Sequence, residues 1–134
     1  MATYNKFNSF VEALAEKAHN LGSDTLKVAL TNSAPAATMT KLSELTGAIA
    51  SPALDSVTLT VSSSSQTSGT YKLVVADKTM TASGAVGPFR YVAIYNDTAT
   101  NKELICWYDY GSEITLNAGE TFTLDFGATV LTLA

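Results

Sequence analysis

The chain carries one histidine, one cysteine and twelve carboxylates among 134 residues, so its catalytic repertoire is short. His19 is the only general base available for a Ser-His-Asp or Cys-His arrangement. It falls near the end of a helical pattern, where the helix dipole mildly favours its charged form. Cys106 lies in the apolar run ELICWYDY, the setting of an inert buried thiol rather than of a nucleophile. A single His and a single Cys cannot assemble the common zinc sets, and there is no Asp-rich loop with calcium-binding spacing. Asp109, Glu113, Glu120 and Asp125 are of the type that pairs as acid and base across a cleft, but each sits in an alternating stretch among solvent-facing positions. Gly84-Ala85-Val86-Gly87 has neither the lysine nor the following helix of a phosphate loop. Asn96-Asp97-Thr98 fits the glycosylation sequon, which has meaning only in a secreted chain. The first ten residues lack the charged and apolar regions of a signal peptide. These residues predict a non-enzyme without cofactor or metal.

The aromatic residues carry more information. Tyr91, Tyr95, Tyr108 and Tyr110 cluster with Trp107 and Arg90 in two runs, GPFRYVAIYND (87–97) and ELICWYDY (103–110). Tyr, Trp and Arg are the residue types enriched at protein–protein hot spots, and they also suit a sheet that stacks rings on sugars. The plain alternative is that they fill the core with their hydroxyls at its edge. Strict alternation places Phe89, Tyr91, Ala93 and Tyr95 on one face of 87–97, with Arg90, Val92 and Ile94 on the other. Both faces are then apolar, and an arginine among them needs a partner. Asp109 on the adjacent strand, or a subunit interface, would supply one.

The elements that position these residues are mostly strands. One helix is predicted over about 5–20, because Phe7, Phe10, Val11, Leu14, Ala15 and Ala18 form a single apolar stripe. Asn5 fits its N-cap and Gly22 its left-handed stop. After Gly22 the period becomes 2: Leu26, Val28 and Leu30 alternate with Lys27, Ala29 and Thr31. Residues 33–56 read as a long surface connection with one helical turn at 41–45. Short alternating runs then follow, separated by turn signals, with Val57, Leu59 and Val61 inward in one and Phe122, Leu124 and Phe126 inward in another. About eight strands at this spacing predict a mainly β fold. The expected form is an antiparallel β-sandwich, jelly-roll-like, over about 24–134, with the N-terminal helix packed on it in a single domain. Strands 88–96 and 104–110 should be central, one face meeting the opposing sheet and the other covered by the helix or a neighbouring subunit.

Composition agrees. Apolar residues make up 46%, charged residues 15%, and Ser and Thr total 32, a balance suited to solvent-facing strands. A net charge of −4 with scattered basic residues argues against nucleic acid as a partner. No apolar run approaches the roughly 20 residues that span a bilayer, and no basic amphipathic helix suits a membrane surface.

Three segments taken in order carry a resemblance: KFNSFVEALAEKAHNLGSDTLKVALTNSAP, SQTSGTYKLVVADKTMTASGAVGPFRYVAIYNDTATNKELICWYDYG and LNAGETFTLDF. Over roughly 5–34 and 66–127 the chain resembles a family of small virion structural proteins of tailed bacteriophages and prophages; it departs at 35–56. The resemblance implies a non-enzymatic head decoration, or cement, protein made in the host cytoplasm and resident on the capsid surface. Its partners would be the major capsid protein and further copies of itself. Under it the N-terminal arm and the aromatic faces supply the contacts, through Tyr4, Lys6, Phe7, Arg90, Tyr95 and Tyr108. A glycan-binding or host-attachment module, and a tail or connector component, are the alternative readings.

Overall fold

The computed structural model describes residues 2–49 and 52–134. It shows the mainly β, antiparallel sandwich with one helix that the alternation predicts. In chain order the elements are β1 (Thr3–Lys6), α1 (Ser9–Ala15), β2 (Leu26–Thr31), β3 (Val61–Thr67), β4 (Thr70–Val75), β5 (Lys78–Thr81), β6 (Val86–Asn96), β7 (Leu104–Leu116), β8 (Thr121–Leu124) and β9 (Leu131–Leu133). One layer is a four-stranded sheet of order β1-β7-β6-β2, which places the two apolar runs at its centre. The second layer is divided into a three-stranded sheet, β3-β4-β9, and a two-stranded one, β5-β8.

The N-terminus departs from the predicted helix. Thr3–Lys6 pair with β7 instead, Tyr4 opposite Tyr108 and Lys6 opposite Cys106, and the Phe7 amide continues the ladder to the Ile105 carbonyl at 3.2 Å. Neither Asn5 nor Gly22 ends the helix. Asn8 occupies the N-cap position without a side-chain bond. At the other end Lys17 takes the left-handed conformation (φ 69°), and the Ala18 amide reaches back to the Ala13 carbonyl at 2.8 Å. That is the geometry usually given to glycine. The supposed single stripe is therefore split: Phe10 packs in the core between the sheets, Phe7 lies on the opposite face of the sheet, and Val11 is 48% exposed.

A second departure lies between the central strands. Phe89 pairs with Ile114 but Tyr91 with Asp109, so β7 bulges outward over 110–113, with Gly111 at φ 81°. The irregularity turns Phe89 onto the face of Val92 and Ile94, while Tyr91, Ala93 and Tyr95 stay on the other. Gly87 at the start of β6 admits no side chain, because a Cβ there would meet the Ile114 carbonyl oxygen at 2.6 Å and φ is 113°.

The inner face of the four-stranded sheet packs on the other two sheets and on Phe10 of the helix. Val28, Leu30, Phe89, Val92 and Ile94 meet Leu73, Val75, Met80 and Leu124 there. The outer face carries Phe7, Ala29, Tyr91, Ala93, Tyr95 and Trp107, and here expectation and structure differ. The chain's own connection covers it rather than the helix: Leu45 is buried against it, with Ala37, Met39, Leu42 and Ala48 packed alongside. This segment includes a single 3₁₀ turn at Leu42–Glu44, matching the helical turn read from sequence. The strap is fixed at both margins of the sheet. The Asn8 amide donates to the Ala37 carbonyl at 2.9 Å, and the backbone at Lys41 forms an isolated antiparallel bridge with that at Glu103. On the β2 side the Thr31 hydroxyl donates to the Thr46 carbonyl at 2.6 Å and the Ile49 amide to the Leu30 carbonyl at 2.9 Å. Residues 57–59 then run along the outer edge of β2 before the chain enters β3. Ala50 and Ser51, also in the connection, lie outside the described residues.

Candidate functional site

The six residues expected to make contacts do not converge on one patch. Tyr4 and Lys6 project from β1, the edge strand, and are exposed; the Tyr4 ring, 39% exposed, meets Tyr108 edge-on at 5.5 Å. Phe7 is fully buried beneath Trp107 with ring centres 4.6 Å apart. Tyr95 is buried with it under the strap, and Tyr108 is buried on the inner face. Phe7, Tyr95 and Tyr108 are therefore core residues rather than surface contacts, because the sheet is covered on both sides by the same chain.

Arg90 has the partner the sequence suggested. Its Nε and a terminal nitrogen reach the two oxygens of Asp109 at 2.8 and 3.1 Å, a fork-to-fork pair, and its guanidinium lies 5.2 Å from the centre of the Tyr91 ring. The pair holds the Asp109 carboxyl below its ordinary range, helped by the Gly111 amide, and raises Arg90 above its own. Its members are partly exposed at the bulge. The pair fastens the place where register changes, and the arginine is satisfied within the chain.

The other chemistry-bearing groups are also engaged. Burial pushes the Cys106 thiol up to about 12, which leaves no thiolate at neutral pH. Glu113 accepts from the Asn32 amide group at 2.8 Å, Glu120 from the Asn117 backbone at 2.6 Å, and Asp125 from the Gly127 backbone at 2.9 Å. Those carboxylates thus fix turns and strand ends instead of facing one another. Asp97 binds Lys102 at 2.9 Å and Lys27 at 3.1 Å, and the two ammonium groups, Lys102 first, hold its carboxyl low. Among the described residues, no three His, Cys, Asp or Glu side chains gather as a metal site. Among the described residues, no helix is long and apolar enough to cross a membrane.

One cluster was invisible in the sequence. Asn96, at the end of β6, donates its amide hydrogens to Asp24 at 2.7 Å and to Nδ1 of His19 at 3.0 Å. Its carbonyl oxygen accepts from the Thr98 and Ala99 amides, which fixes the orientation of the amide group. Nδ1 of His19 must then accept, so its proton sits on Nε2. Burial lowers the His19 pKa, outweighing the opposing pull of Glu103 and Asp24. The sequon asparagine is thus fully buried and doubly bonded, and its nitrogen is closed to a glycan in the folded chain. Nothing in the sequence joins residues 72 and 77 positions apart, because each belongs to a different local pattern.

Comparison with known proteins adds no relative: no protein-family model, curated protein or solved structure matches the chain.

Proposed function

We propose that the chain is a non-enzymatic virion structural protein, a decoration that binds the assembled head shell of a tailed phage. The observation that carries this reading is the closure of the central sheet on both faces by one chain. It yields a compact module whose aromatic residues are spent on its own packing, while the β1 edge and its exposed Tyr4 and Lys6 remain free for contacts. An unpaired strand edge offers a row of backbone donors and acceptors to a neighbouring chain. The order of the three sequence segments points to the same class. A protein that binds only the assembled lattice stabilises that lattice by mass action. Burial of Trp107 and Tyr95 beneath the strap weighs against a sugar-stacking platform on the central strands. The direct test adds the purified protein to heads assembled without it. The proposal predicts saturable binding and greater resistance of the heads to heat. Tyr4→Lys combined with Lys6→Glu should weaken binding while leaving the fold unchanged. Heads that neither bind the protein nor gain resistance would exclude it.

A further inference from the structure

A cleft of about 880 Å³ opens between the end of α1, the 97–103 turn and the β3-β4-β9 sheet. One part of its lining is apolar, from Leu14, Ala18, Leu21 and Leu133, and Tyr71 adds a ring. The rest is polar and includes His19, Asp24, Glu103 and Lys17. Two buried side-chain atoms among the described residues have no hydrogen-bond partner, and both belong to this lining: Nε2 of His19 and Oε2 of Glu103. His19 is only 4% exposed, and its other ring nitrogen is occupied by Asn96. The imidazole therefore holds one unused donor beneath the lining, and the carboxylate one unused acceptor.

From this pairing we infer that the cleft is a binding site for a neutral saccharide. The chemistry follows from what each class of group can offer. An ammonium donates to Glu103 but has nothing to accept the Nε2 proton. A carboxylate or phosphate accepts that proton but meets two carboxylates, Asp24 and Glu103, against the single exposed Lys17 at the rim. A hydroxyl can accept from the imidazole and can donate to the carboxylate, so one class of group serves both. A ligand with several hydroxyls and an apolar ring face also matches the remaining lining, and the cleft is of the size that holds small ligands. Glu103 is only half-buried, so a change of its rotamer brings Oε2 to the ligand. The site is separate from the β1 edge and does not depend on where the protein resides.

Because His19 is the only histidine, its ring resonances read the site directly. Glucose, galactose and mannose are titrated at millimolar concentrations into the wild-type chain, Glu103→Gln and Thr100→Trp, the last filling the cleft from an exposed position. At least one sugar should shift the His19 signals saturably. Glu103→Gln should weaken that binding about tenfold, the scale of one lost charged hydrogen bond, and Thr100→Trp should abolish it. An unmoved His19 signal with every sugar would overturn the assignment, as would an identical response in all three proteins. Binding of butylamine or acetamide in place of the sugars would overturn the ligand class.

Discussion

The two faces of the central sheet are both buried but differently built, the inner one more completely. On the inner face, strands from two further sheets and a short helix supply close-packed side chains, and backbone hydrogen bonds run within each ladder. On the outer face an irregular strap supplies a handful of apolar residues, and its own polar backbone is satisfied by a few bonds to the strand margins. Burial alone therefore does not reveal what kind of structure does the burying. A loop can close a sheet when its apolar residues land on the rings and its backbone reaches the edges.

That contrast can be broken most forcefully from the inside. Phe89 is fully buried and packs edge-on to Phe122 at 5.2 Å. Phe89→Ala should cost about 3–5 kcal/mol in denaturant unfolding, since rigid sheets on both sides cannot collapse into the cavity. Leu45→Ala, in the strap, should cost about 2 kcal/mol, the low end for such a truncation, because an irregular segment relaxes more readily. Equal losses at the two positions would show the strap to be as rigid as the sheets. Thr31→Val keeps the shape but removes the bond to the Thr46 carbonyl, and should cost about 1–2 kcal/mol. Its sharper signature is faster hydrogen exchange at the Ile49 amide, with the β6–β7 ladder unchanged.

The smallest effects are electrostatic. His19 has a lowered pKa in the fold, and Asp24, Glu103, Asn96 and the Phe10 ring face it. The unfolded chain therefore binds its proton first, and stability should decline as pH falls below about 6.5. Asp97 and Asp109 are also depressed, so their contributions are complete above about 3.9 and disappear as pH falls through the folded values. Thermal melts of the wild type and Lys102→Met across this range separate the two phases. Only the more acidic phase should shrink in the variant.

Most strands were legible because alternation reports burial directly, and the central place of 88–96 and 104–110 followed from their two apolar faces. Phe7 was not, because a residue three before Phe10 satisfies a helical stripe and a strand end equally well. Its ladder bond to Ile105 and its contact with Trp107 decide the matter, and both are long-range. The covering role of the strap is hidden in the sequence because side chains on irregular backbone follow no period. The bulge at 110–113 left only Gly111 as a trace. Arg90 was the exception among long-range features: a charged residue on an apolar strand demands a partner, and Asp109 was the carboxylate in reach.

The most direct test of the functional account is the copy number of this protein in purified virions, measured against the major capsid protein and repeated on tailless heads. Head decoration predicts a near-stoichiometric ratio that survives removal of the tail. A few copies lost with the tail, or none in the particle, would contradict it.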